Sequence, residues 1–242
     1  MSREFTAAMV VIGNEILSGR TQDKNINYVA CKLVEIGVRL REVRIVPDVE
    51  SEIISTVREL KSKHDYVFTS GGIGPTHDDI TAQCVAKACN TVLEQNKDAY
   101  DILLDYYGIE ELTDARLRMA QIPVGGALIL NPVSAAPGFQ IDNVYVMAGV
   151  PKIMQAMMDH VAMHLDGGTV IQSRTVETRL RESVIARDLG DIQEKYQSVD
   201  VGSYPYFKDG QLGVNIVLRS DDGNLLSRAE QDVIEMVDRL SE

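Results

Sequence analysis

The sequence predicts an α/β fold with a mostly parallel sheet, followed by a small α+β domain. Three observations predict it. Residues 66–68 form a short apolar, β-prone run that breaks into Gly71, Gly72 and Gly74 and then into a helical stretch; that strand, turn, helix order builds parallel sheets. Upstream, apolar runs at 7–12 and 38–46 alternate with amphipathic stretches at 27–36 and 50–60. Beyond Asp166-Gly167-Gly168 the pattern changes to strand, helix, strand, strand, helix, which is α+β rather than doubly wound. The predicted domains are 1–166 and 169–242.

In chain order, the first strand ends in Gly13-Asn14-Glu15-Ile16-Leu17-Ser18-Gly19, a glycine-bracketed loop carrying Glu15 and Ser18. The helix at 27–36 has Tyr28, Cys31, Leu33 and Val34 at helical spacing and stops at Gly37, a favoured position just past a helix end. The strand at 38–46 ends at Pro47-Asp48, and the next helix places Ile53, Ile54, Val57 and Leu60 on one face. Asp48 thus sits at a strand-to-helix junction, as Asp79 does. Two carboxylates at neighbouring strand ends can converge on one ligand; an N-cap is the equal alternative for Asp48. Helices are expected at 82–88, 98–107 and 114–120, a turn at 123–126 and a strand at 127–130. Residues 131–138, with Pro132 and Pro137, read as a rigid loop. A hairpin is expected at 139–141 and 144–147 around Asp142-Asn143, then a helix from Pro151 to about 165. In the second domain, a strand at 169–179 and a helix at 182–196 precede a hairpin of 199–206 and 212–218 across Lys208-Asp209-Gly210. A helix at 225–240 closes the chain.

The stretch from Gly71 to Thr81 carries the chemistry. Glycines let the backbone approach a ligand with no Cβ in the way. Thr76 is spaced to cap a helix from about Asp79, with Asp79 in the capping-box position. Free N–H groups at such a turn favour an anion. The motif is neither a Walker A loop, since the lysine is missing, nor G-x-G-x-x-G. Asp78 and Asp79 would repel a phosphate unless a cation lay between. The local chemistry therefore suggests phosphate plus divalent metal, or a carboxylate that activates a hydroxyl. A plain strand–helix turn is the bland alternative.

The chain has 242 residues and a formal net charge of −12. That balance argues against nucleic acid and anionic membranes as general partners. Trp is absent and aromatics are few, which disfavours a stacking platform for single strands. Cys31, Cys84 and Cys89 are odd in number and lack zinc spacing; they read as reduced, mostly buried thiols of a cytoplasmic protein. No apolar run is long enough to span a membrane.

Four loops carry a resemblance. Gly71-Gly72-Ile73-Gly74-Pro75-Thr76-His77-Asp78-Asp79-Ile80-Thr81 resembles the signature of the molybdopterin-binding fold family, which includes MogA and MoaB. It is more similar still to the N-terminal domain of CinA proteins and the molybdopterin-binding-like domain of FAD synthases. The opening loop 13–19, Val46-Pro47-Asp48 and the loop 131–138 resemble further signatures of that family. CinA proteins usually read L-P-G-P-P where this chain has Met147-Ala148-Gly149-Val150-Pro151. The small second domain resembles the KH-type domain of CinA proteins.

The resemblance implies a three-layer α/β/α fold with the site at one sheet edge. It implies Asp48 and Asp79 as catalytic residues and, together, as metal ligands for Mg, Mn or Co. It further implies Gly13, Glu15, Gly71, Gly72, Gly74, Pro75, Thr76, Asn131, Pro132 and Gly149 as ligand or phosphate contacts. The expected function is metal-dependent cleavage of a nucleotide pyrophosphate such as ADP-ribose or FAD. The alternative is a molybdopterin-binding protein of molybdenum cofactor biosynthesis without hydrolase activity. The expected partners are a small nucleotide or pterin and a second copy of the chain in a homodimer.

Overall fold

The computed structural model describes residues 3–208 and 210–241. The chain divides into two compact units between Gly168 and Thr169. The first unit runs β1 (Phe5–Ile12), α1 (Asn14–Leu17), α2 (Asn25–Glu35), β2 (Val38–Val46), α3 (Glu50–Lys63), β3 (Tyr66–Ser70) and α4 (Thr81–Ala88). It continues with β4 (Leu93–Gln95), α5 (Lys97–Tyr107), α6 (Asp114–Leu117), β5 (Gln121–Pro123), β6 (Ala127–Ile129), β7 (Gly138–Ile141), β8 (Val144–Met147) and α7 (Pro151–Ala162).

Six strands form one sheet in the order β2-β1-β3-β8-β7-β6. β2, β1, β3 and β8 are mutually parallel, whereas β7 and β6 pair antiparallel. The change of direction is local in origin: two residues, Asp142 and Asn143, join β7 to β8, and a connection that short reverses the chain. Asp142 takes φ 50 there.

Alternation along β1 divides the core in two. Ala8, Val10 and Ile12 pack with Ile53, Val57 and Leu60 of α3, Cys84 and Val85 of α4, and Leu103 of α5. Ala7, Met9 and Val11 pack on the other face with Val29 and Leu33 of α2 and with Met154, Met157, Met158 and Val161 of α7. Helices therefore cover both faces, giving three layers. This is why β1 reads as an unbroken apolar run, while β2, at the edge, alternates between exposed and partly buried positions.

Local structure departs from the sequence reading in five places. The helix expected from Asp79 begins at Thr81, because residues 71–80 fold back until the Thr81 N–H reaches the Gly72 carbonyl at 3.0 Å. The loop at 13–19 contains the single helical turn α1. The helix expected at 114–120 is α6 followed by a 3₁₀ turn at Arg118–Ala120. β4 and β5 form an unanticipated two-stranded antiparallel pair. Cys31 is exposed, whereas Cys84 is buried and Cys89 partly so.

The second unit runs β9 (Gln172–Thr178), α8 (Glu182–Lys195), β10 (Asp200–Lys208), β11 (Gln211–Ser220) and α9 (Gly223–Ser241). Its sheet is antiparallel, in the order β10-β11-β9. Val214, Ile216 and Leu218 of β11 pack against Ile185 and Ile192 of α8 and against Leu226, Val233 and Met236 of α9. Pro205 lies on β10, an edge strand, where its missing N–H disturbs no inner ladder. The expected turn centres on Asp209, which lies outside the described residues; the flanking Lys208 and Gln211 pair. Among the described residues no helix is long and apolar enough to cross a membrane.

Candidate functional site

The site forms where the parallel strands end. Gly71 follows β3 at φ 108 and Gly72 at φ 69, backbone states that side chains rarely adopt. The Gly71 N–H donates to the Met147 carbonyl at the end of β8, at 3.2 Å. Its amide is thus a strut between strand ends and is not free for a ligand. The N–H groups of Gly72, Ile73 and Gly74 have no acceptor among the described residues. Three successive unpaired amides in a glycine turn are the kind of group that can accept an anion.

A buried brace holds this turn. The Asn25 side-chain amide, at the start of α2, donates to Ser70 Oγ and to the Gly149 carbonyl, both at 2.8 Å. Gly149 in turn lies so close to Gly71 that an added Cβ would stand 3.2 Å from the Gly71 Cα. Asn25 is a positioning residue that sequence spacing does not single out.

The acidic residues have distinct settings. Asp79 Oδ2 accepts the Thr76 N–H at 2.8 Å and lies 2.6 Å from the Thr76 hydroxyl. The pair expected to cap a helix instead closes a free-standing turn. The Asp79 carboxylate also rests against Gly74, where a Cβ would meet Oδ2 at 2.7 Å. Its Oδ1 has no partner among the described residues. Asp78 is held below the usual carboxylate range, chiefly by the Thr76 hydroxyl. The half-buried Asp48 accepts the Asn14 N–H through Oδ2 at 2.9 Å. It therefore caps α1, the one-turn helix at the end of β1, and not α3, whose N-cap is Val49. Glu15 is exposed, with its carboxylate turned back over Gly13.

An open cleft of about 670 Å³ collects part of this set. Glu15, Gly71, Gly72, Gly74, Pro75, Asp79, Asn131 and Gly149 line it; Gly13, Asp48, Thr76 and Pro132 do not. The Asn131 side chain is saturated within its own loop. It donates to Ser134 Oγ and the Ala136 carbonyl and accepts from the Val133 and Ser134 amides, all at 2.8–3.1 Å. A smaller cavity of about 120 Å³, lined by Gln83, Arg118 and Phe139 among others, shares Ile73, Gly74, Asp79 and Met119 with the cleft.

Five lining residues come from outside every motif: Thr21, Tyr107, Arg116, Met119 and Ile153. The Arg116 guanidinium sits 4.2 Å from the Tyr107 ring centroid. No spacing rule links a residue at the end of α5 to one in α6, and only the fold brings them together.

The donor set does not make a protein-only metal cage. Among the described residues no group of three or more His, Cys, Asp or Glu could hold an ion. Of the two carboxylates expected to hold a metal, Asp79 lines the cleft with its Oδ1 unpartnered among the described residues, and Asp48 does not line it. Asp79 Oδ1 would suit one oxygen ligand of a hard cation whose remaining ligands came from elsewhere.

Comparison with known proteins agrees with this architecture. Residues 8–166 match the family described as "Probable molybdopterin binding domain", and residues 170–241 match "FAD synthase, middle domain". CinA from Thermoplasma acidophilum, a solved structure whose title gives its function as unknown, is 35% identical, with a TM-score of 0.63. The match covers 66% of this chain and 97% of that one. The protein named "Probable FAD synthase" in Caenorhabditis briggsae is 34% identical over 89% of this chain, which spans only 46% of that protein. A Pyrococcus abyssi protein is 32% identical over 92% of this chain and 93% of its own length. A parallel sheet with helices on both faces, a glycine turn at its edge and these matches lead to one conclusion: the chain belongs to the molybdopterin-binding domain family, related within it to CinA and to FAD synthase.

Proposed function

We propose that the cleft binds a phosphorylated pterin of the molybdopterin class. Its phosphate rests on the Gly72, Ile73 and Gly74 amides, and its ring lies against the apolar lining. The observation that carries this reading is the run of three unpaired amides in the cleft wall. Partly buried and turned to no acceptor among the described residues, these amides are free to meet a ligand's oxygens in place of water. In a chain of net charge −12, an anion has to be held by local dipoles and not by a general positive field. The matched family's description supports the pterin, and Tyr107, Met119 and Ile153 supply the apolar surface for a ring.

A divalent cation of the Mg, Mn or Co class, carried on the ligand's phosphates, would meet Asp79 and neutralise charge there. A second reading is a nucleotide diphosphate such as FAD or ADP-ribose, cleaved at its pyrophosphate; the similarity to the protein named "Probable FAD synthase" favours a nucleotide of that class. We further propose that the chain forms a homodimer, to be read by light scattering.

The test is one titration and one assay. The titration follows neopterin monophosphate by its pterin fluorescence. The assay follows AMP release from FAD and ADP-ribose with Mg, Mn or Co and with EDTA. Saturable pterin binding without AMP release supports the first reading. Metal-dependent AMP release that Asp79→Asn lowers at least tenfold supports the second. Neither binding nor release would overturn both.

A further inference from the structure

We propose that Arg116 is the anion-recognising side chain of this cleft, and that Tyr107 and Glu111 hold its guanidinium in place for that role. This inference rests on the ligand reading above and deepens it. None of the family signatures read in the sequence contains residues 107–116.

Charge gives the first argument. The cleft is lined by two carboxylates, Glu15 and Asp79, and among its described lining residues Arg116 is the one cation. A phosphate entering there meets two like charges, which backbone dipoles offset only in part. Arg116 adds a positive charge to the same wall, offset in part by its own Glu111 partner.

Geometry gives the second. Arg116 Nη1 donates to the Glu111 backbone carbonyl at 2.5 Å and to its carboxylate at 2.8 Å. The guanidinium stacks on Tyr107 at 4.2 Å. Its backbone is fixed as well, since the Thr113 hydroxyl caps α6 by accepting the Arg116 N–H at 3.4 Å. Yet Nε and Nη2 donate to nothing among the described residues. Arg44 of β2 shows the contrast: its Nε bonds Glu42, and both its terminal nitrogens bond Glu59. That arginine is saturated as a structural tie. Arg116 is held along one edge, and the edge that presents two parallel N–H groups remains open. That edge fits two oxygens of a phosphate side by side.

The test compares two fluorescent probes, neopterin monophosphate and neopterin, on the full chain. The variants are Arg116→Ala, Arg116→Gln and Arg116→Lys, with circular dichroism melts confirming their fold. Wild type is expected to prefer the phosphorylated probe. Arg116→Ala and Arg116→Gln should lose about tenfold or more in affinity for it while binding neopterin as wild type does. Arg116→Lys should recover only part, because an ammonium cannot present two parallel N–H groups. The salt dependence of phosphate-probe binding should also flatten in the alanine variant. If Arg116→Ala and Arg116→Gln keep the wild-type preference, the proposal is overturned while the cleft reading stands. If wild type itself binds neither probe, the cleft reading fails and this inference with it.

Discussion

Gly71 meets a steric limit set by two strand ends and a loop at once. An added Cβ would collide with the Ile12 backbone carbonyl, which cannot swing away as a side chain would. The residue also sits at φ 108 and packs against Gly149. Gly71→Ala should therefore combine backbone strain with overpacking and cost about 3 kcal/mol or more. Gly19 is the control, because it shares a positive φ of 72 yet has nothing within 4 Å of a new Cβ. Gly19→Ala should cost only about 1 kcal/mol. Urea denaturation of both variants measures the difference; equal losses would show that φ alone matters at Gly71. The same crowding explains a limit of the sequence reading. The glycines and Asp79 are legible because motif chemistry demands them. That the Gly71 amide is already bonded to Met147 is not legible, because it depends on where a strand some 75 residues away ends.

Between elements, β1 and β3 are tied at their start by Asp65. Its carboxylate accepts the Thr6 N–H at 2.8 Å and the Thr6 hydroxyl at 3.1 Å, and it pairs with Arg3. The Thr6 amide first, and then the Arg3 and Thr6 side chains, hold the Asp65 carboxyl below its usual range. Because the folded value lies below the unfolded value of about 3.9, this contribution is complete above roughly pH 5. It is lost as pH falls through the folded value. Glu59, held at about 2 by Arg44 and Lys63, acts in the same direction from α3. The expected result is a melting temperature flat from pH 7 to 5 and falling below pH 4, with the fall shallower in Asp65→Asn. That variant should lose about 1 kcal/mol at pH 7. A variant with the wild-type acid profile would remove Asp65 from the account. Elements also mark how far periodicity reads. β1, β2, α3 and α9 show their faces over eight residues or more. β4 and β5 have three residues each, too few to display a period, and they exist only because they find each other across α5 and α6. The Arg116–Tyr107 stack escapes the sequence for the same reason.

At the scale of the molecule, the change of pattern after Asp166-Gly167-Gly168 coincides with the division of the fold between Gly168 and Thr169. A Cβ on Gly167 would strike the Ile36 carbonyl, so this glycine packs the end of the first unit against the end of α2. Each unit has its own core. The first buries two apolar layers around β1, and the second has a cluster of its own in which Ile185, Ile216, Leu226 and Val233 are fully buried. We propose on this basis that residues 169–242 fold alone. A three-stranded sheet with two helices on it is near the lower size for independent folding, so stability should be low, about 3–5 kcal/mol. The fragment should still melt cooperatively by circular dichroism, and residues 1–168 should retain the wild-type affinity for neopterin monophosphate, since every cleft residue lies in that unit. A fragment 169–242 that melts without a transition would show that its core is completed by the first unit. Loss of pterin binding by a folded 1–168 would show that the second unit shapes the cleft from outside its lining.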